Sequence, residues 1–163
     1  MRGLSFFVGS ERYAVDVTLV QKVARKLAIT PVPSSPEEVI GIANLKGRVI
    51  TVLSLDKILD DKQSCEAERY INTIVFKAGS GSEDQMGLAV DRPGNLVDID
   101  TNDIRPPPLN ANDRGSFCIS AIAEIDNSFY RIIDIDSIYK KFTAGNDSIP
   151  VNKSFGGNEN GTD

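Results

Sequence analysis

The stretch Ile42 to Ile58 recurs eighty positions later as Ile122 to Ile138, with its apolar pattern unbroken. Ile42 meets Ile122, Ala43 meets Ala123, Leu45 meets Ile125, Val52 meets Ile132, Leu53 meets Ile133, Leu55 meets Ile135, Asp56 meets Asp136 and Ile58 meets Ile138. Upstream, Ala14-Val15-Asp16 returns as Ala89-Val90-Asp91, and Ile29-Thr30-Pro31-Val32-Pro33 as Ile104-Arg105-Pro106-Pro107-Pro108, both displaced by 75. Order and spacing repeat together, so the chain is expected to hold two copies of one structural unit.

Within each copy, apolar runs of strand length rich in Val, Ile, Phe and Tyr alternate with turn residues, which predicts a mainly antiparallel β protein. In the first copy strands are expected near Leu4 to Val8 and Tyr13 to Val17, and Val39 to Leu45 with Val49 to Leu53 should form a hairpin across Lys46-Gly47-Arg48. The stripe Val17, Val20, Val23 and Leu27 fits a helix or a strand, and Pro31, Pro33 and Pro36 break regular structure after it. Asp56 to Leu59 begins a short helix. Residues 60–69 are polar and suit a connector. The second copy should carry strands at Asn72 to Lys77, Met86 to Val90, Leu96 to Ile99, Phe117 to Ile125 and Phe129 to Ile135, a turn at Asp126-Asn127-Ser128, and a helix from Asp136 to Phe142. Five strands per copy predict a pair of small barrels, the first over about 4–69 and the second over about 70–142. Residues 143–163, rich in Gly, Asn, Ser and Asp, are expected to form a flexible tail.

With 163 residues the chain can bury a core without metal or disulfide. Its two cysteines, Cys65 and Cys118, share no spacing motif, and no apolar run approaches the roughly 20 residues that span a bilayer. A reducing cytoplasm is the expected setting, with any membrane association through a partner. A formal charge of −5 disfavours a nucleic-acid surface, which needs concentrated cations. The chain has no histidine, so the commonest general base and metal ligand are missing. Neither thiol has a histidine to activate it. Asp98 to Asp103 has the opening spacing of a calcium loop, but Asp103 stands where glycine is needed and Leu109 where the closing glutamate belongs. Gly79-Ser80-Gly81-Ser82 lacks the lysine of a phosphate cradle. No catalytic, cofactor-binding or metal-binding residue is therefore expected.

The run Gly41-Ile42-Ala43-Asn44-Leu45-Lys46-Gly47-Arg48-Val49-Ile50-Thr51-Val52-Leu53-Ser54-Leu55 closely resembles the G-x-x-N-L-R-G-x-x-x-x-V-x-D-L signature of CheW-like coupling proteins. Around it lie a matching opening, Phe6 through Gly9 to Tyr13-Ala14-Val15-Asp16, the Ile29 to Pro33 turn, the Val90-Asp91 step and the closing Ile132 to Ile135 strand. The resemblance covers about Leu4 to Phe142. It implies two intertwined five-stranded SH3-like β-barrels with a few short helices and a shared apolar junction. It further implies a non-catalytic adaptor between the cytoplasmic tip of a chemoreceptor and the regulatory domain of the histidine kinase CheA.

By the same resemblance, Val20, Lys22, Gly41, Asn44, Lys46 and Gly47 fall where the family presents a partner surface. Three positions depart from the family. Lys46 stands for the usual arginine and lacks its planar fork. Lys22 is basic where an acidic residue is common, and Ser120-Ala121 replaces a glycine-valine step. A shifted partner preference follows. Read locally, Lys46 is a solvated hairpin charge, Gly41 and Gly47 are backbone necessities, and Val20 and Val23 are core. An adaptor of a pilus or surface-sensing pathway, and a small-molecule module with its pocket in the inter-barrel groove, are the alternative functions.

Overall fold

The computed structural model describes residues 1–59, 70–78, 85–107 and 116–144. Eleven strands and two short helices follow one another there: β1 (Arg2–Val8), β2 (Glu11–Asp16), β3 (Val20–Ala28), β4 (Val39–Leu45), β5 (Arg48–Ser54), α1 (Leu55–Leu59), β6 (Tyr70–Phe76), β7 (Gln85–Val90), β8 (Arg92–Asp98), β9 (Ile104–Arg105), β10 (Ile119–Ile125), β11 (Ser128–Ile133) and α2 (Ile135–Tyr139). They form two curled sheets. One has six strands in the order β8-β1-β2-β11-β10-β9, the other five in the order β3-β6-β7-β5-β4.

The duplication is visible residue by residue. β4, β5 and α1 start at residues 39, 48 and 55, and β10, β11 and α2 start eighty positions later at 119, 128 and 135. The ladder slips between Val39 and Gly41 in one hairpin and between Ile119 and Ala121 in the other. Both turns place two residues at positive φ, Lys46 (52°) with Gly47 (83°) and Asp126 (52°) with Asn127 (63°), the pattern whose twist suits a two-residue hairpin. The Thr30–Ile42 bridge in the first copy matches the Arg105–Ile122 pair in the second.

The copies exchange hairpins. β1 and β2 join the sheet of β10 and β11, and β6 and β7 join the sheet of β4 and β5. At each seam the ladder is parallel, Tyr13 to Ala14 against Arg131 to Ile132, and Ile50 to Ser54 against Gln85 to Ala89. The expected division at residues 69 and 70 therefore follows neither sheet. Residues 20–90 contain all of the five-stranded sheet, and the six-stranded sheet is built from both ends of the described chain. Each copy offers its first hairpin to the partner copy's free strand edge, where the unpaired amides find carbonyls.

Packing follows from the seams. Consecutive residues of the seam strands enter different cores: Ala14 and Ile132 fill the six-stranded sheet, while Val15 and Ile133 enter the shared junction. Val52 and Ala89 fill the five-stranded sheet, while Leu53 and Val90 enter that junction. These strands are apolar on both faces, which is why they read as unbroken runs. The junction also takes Phe6, Leu55, Ile58, Ile135 and Ile138, and burying each such side chain contributes roughly 1.5–3 kcal/mol.

Several boundaries differ from those expected. β2 stops at Asp16, whose Oδ1 accepts from the Thr18 N–H (3.0 Å) and hydroxyl (2.8 Å) and turns Val17–Leu19 into a 3₁₀ segment. The Val17, Val20, Val23 stripe is no helix. β3 carries register shifts between Val20 and Lys22 and between Ala24 and Leu27, and each bulge converts a spacing of two into one of three. Val20 and Val23 consequently both face the junction. β8 begins at Arg92, four residues ahead of the expected Leu96, with Pro93 tolerated because β8 is an edge strand that itself bulges just after it, Gly94 and Asn95 facing the single residue Ser5. Ser116–Cys118 is a 3₁₀ turn rather than strand, and α2 gives way to a π turn at Lys140–Ala144. Cys65, the 60–69 connector, the Gly79 to Ser82 loop and the tail beyond residue 144 lie outside the described residues.

Candidate functional site

β3 runs antiparallel to β6, β6 to β7, β7 parallel to β5, and β5 antiparallel to β4. The start of β3, the end of β6, the starts of β7 and β5 and the end of β4 therefore share one rim of the five-stranded sheet. Val20, Lys22, Asn44, Lys46 and Gly47 all stand on it. The sixth predicted residue, Gly41, does not. It is buried, and a Cβ there would lie 2.2 Å from the Thr30 carbonyl oxygen. Its role is to let Thr30 and Ile42 exchange backbone hydrogen bonds at 2.8 and 2.9 Å, so it offers no surface to a partner.

At the tip, Lys46 and Gly47 are exposed, and the Gly47 N–H donates to Asn44 Oδ1 (3.0 Å). Asn44 thus closes the turn from its own strand, a local bond typical of this side chain. Nothing lies within 4 Å of a Cβ at Gly47, so the demand for glycine there is conformational. Val20 and Lys22 are half-buried on β3, and Val20 packs against the junction.

Three residues that sequence reasoning passed over tie this rim together. Gln85, only 6% exposed at the first position of β7, donates from Nε2 to Gln21 Oε1 and to the Phe76 carbonyl (3.2 Å). Its Oε1 accepts from Arg48 Nη1 (3.5 Å). Gln21, between Val20 and Lys22, is thereby linked to Arg48, the residue after the turn. The available signal was a polar residue opening the otherwise apolar run Met86 to Val90, since buried amides must find partners. Among the described residues no buried side-chain nitrogen or oxygen lacks a hydrogen-bond partner.

The remaining features are bland. An open recess of about 440 Å³ lies on the six-stranded sheet, lined by Glu11, Arg105, Pro106, Ile122, Phe129 and Arg131. Every lining residue belongs to that sheet or the segment leaving it, not to a groove between sheets. In the acidic stretch the Asp103 N–H donates to the Asp100 carbonyl (2.9 Å), the Asp100 N–H donates to Asp103 Oδ2 (3.3 Å), and Asp98 meets Arg2 (3.1 Å), so these carboxylates serve the turn and an exposed ion pair. Cys118 is buried. No helix among the described residues is long and apolar enough to cross a membrane.

Two curled sheets around a common apolar junction, with an exposed hairpin rim, define a module of duplicated β architecture. The chain belongs to the CheW-like domain family, whose model matches residues 2–142. It is 31% identical over 140 residues to the chemotaxis protein CheW of Thermotoga maritima, covering 86% of this chain and 88% of that one. It is 29% identical over 122 residues to the protein FrzA of Myxococcus xanthus, covering 75% and 74%. The crystal structure of the scaffolding protein TtCheW from Thermoanaerobacter tengcongensis superposes with a TM-score of 0.71 at 28% identity, covering 81% of this chain and 87% of that one.

Proposed function

We infer that this protein is a non-catalytic adaptor of bacterial chemosensory signalling, coupling chemoreceptors to the histidine kinase CheA. The observation that supports this most directly is the match to the CheW-like family over residues 2–142 together with the gathering on one rim of five of the six residues expected at a partner surface. An adaptor's output is geometry. A rim held by internal hydrogen bonds presents its contacts without a further ordering cost, and several weak sites joined in one assembly raise effective concentration. Receptor state then biases the kinase through the difference in contact each state makes with the rim. The protein works on the cytoplasmic side, drawn to receptor arrays by its partners.

Lys46 is the residue we assign to that contact. The test is reconstitution of receptor-controlled kinase activity with the wild-type chain and with Lys46→Glu. Charge reversal at an exposed turn should weaken receptor control about tenfold or more, equivalent to roughly 1.4 kcal/mol of contact, while the melting temperature stays within a degree or so. Unaltered control by the variant would remove Lys46 from the interface. Failure of the wild-type chain to co-purify with its cognate kinase and receptor would remove the adaptor reading itself.

A further inference from the structure

Five arginines stand on strands of the six-stranded sheet: Arg2 on β1, Arg12 on β2, Arg92 on β8, Arg105 on β9 and Arg131 on β11. Three of them meet a carboxylate, Arg2 with Asp98 (3.1 Å), Arg105 with Glu124 (3.6 Å) and Arg131 with Glu11. Arg12 and Arg92 meet none among the described residues. Both instead lie over one aromatic ring, with guanidinium carbons 5.7 Å and 4.4 Å from the centroid of Phe7.

The arrangement comes from strand register. Phe7 is opposite Arg12 on one side and opposite Arg92 on the other, so cation, ring and cation form a row across β2, β1 and β8. The neighbouring acids are engaged elsewhere: Asp91 Oδ2 accepts from the Gly9 N–H (2.5 Å), and Glu11 holds Arg131. A guanidinium stacked on a ring keeps its N–H edges available, and the ring limits the rotamers that binding would otherwise freeze.

The duplication supplies a second argument. In the five-stranded sheet Lys22 pairs with Val75, and Val75 with Gly87. In the six-stranded sheet Arg92 pairs with Phe7, and Phe7 with Arg12. Arg92 therefore occupies in one copy the place that Lys22 occupies in the other, on the corresponding rim. Where the first rim has one cation in register with Val75 and Gly87, this one has two flanking an aromatic.

We propose that Arg12, Phe7 and Arg92 form a second docking point, specific for an acidic segment of a partner protein and separate from the Lys46 rim. The backbones carrying the two arginines are roughly 10 Å apart, two strand spacings. Alternate residues of an extended segment stand about 7 Å apart on one face, so two carboxylates on one segment come within reach of both long side chains. A chain of net charge −5 with an isolated cationic pair does not suit a nucleic-acid backbone, which needs a broader basic surface.

The test is fluorescence anisotropy with a short labelled peptide alternating glutamate and serine, its glutamine counterpart, and unlabelled inorganic phosphate as competitor. The glutamate peptide should bind, the glutamine peptide should not, and added salt should weaken the complex. Arg12→Ala with Arg92→Ala should lower affinity about tenfold or more, and Arg12→Lys with Arg92→Lys should recover part of it, since charge returns without the fork. Lys46→Glu should leave peptide binding unchanged, which separates this site from the adaptor rim. Equal affinity in the double alanine variant, equal binding of the glutamine peptide, or displacement of the peptide by phosphate at matched concentration would each overturn the proposal. Should the alanine variant lose its fold, the lysine variant answers alone: affinity equal to wild type would overturn the fork-dependent site.

Discussion

Lys46 is a β-carbon-bearing residue held at φ 52°, where an L side chain crowds its own backbone at a cost of roughly 1 kcal/mol. Its position in the turn is thus not explained by stability. Lys46→Gly should raise the urea midpoint by the equivalent of about 1 kcal/mol and at the same time impair receptor control, a combination that an inert surface lysine would not give. The two signature glycines separate by mechanism. Gly47→Ala, with open space around the new methyl, should cost about 1 kcal/mol, the conformational part alone. Gly41→Ala drives its methyl into the Thr30 carbonyl and should cost about 3 kcal/mol. Urea denaturation of the pair checks the order, and equal losses would contradict it.

Among the elements, β3 shows best where reading a sequence succeeds and fails. Its apolar residues were legible as core, yet the two bulges gave them a helix-like spacing, and nothing local in Val20 to Ala28 states that residues are inserted against β6. The hairpins were legible because turn chemistry and alternating faces are local properties, and both appeared at their expected turns, across Lys46-Gly47 and Asp126-Asn127. The polar clamp was not, since the value of Gln85 depends on Gln21 and Arg48, which come from distant strands. Gln85→Leu keeps the volume and removes the bonds, leaving the Phe76 carbonyl to find another donor. It should cost about 1–3 kcal/mol and loosen the start of β3, and faster amide hydrogen exchange at Gln21 and Lys22 than in the rest of the strand is the expected readout.

At the scale of the molecule, the repeat was plain and its wiring was not. A hairpin such as β1–β2 has the same alternation whether it pairs within its own copy or across to the other, so local pattern cannot distinguish sequential sheets from exchanged ones. The choice is made by the seams, Tyr13 against Arg131 and Gln85 against Ile50, which join residues far apart in the chain. A cut in the 60–69 connector therefore leaves both sheets incomplete. Fragments 1–64 and 65–163 should each lack dispersed amide resonances alone and regain the native spectrum on mixing. A folded isolated fragment would contradict the exchange.

The seam between β2 and β11 also bears on manufacture. A ribosome emits Tyr13 well before its mate Arg131, so the β1–β2 hairpin leaves the exit tunnel with a bare edge and no mate. The strands within residues 20–90 are all in hand well before that, at synthesis rates of roughly 5–20 residues per second. Vectorial production thus favours early closure of the five-stranded sheet and makes the six-stranded one a later event, with the nascent β1–β2 hairpin the stretch most in need of a chaperone's shelter.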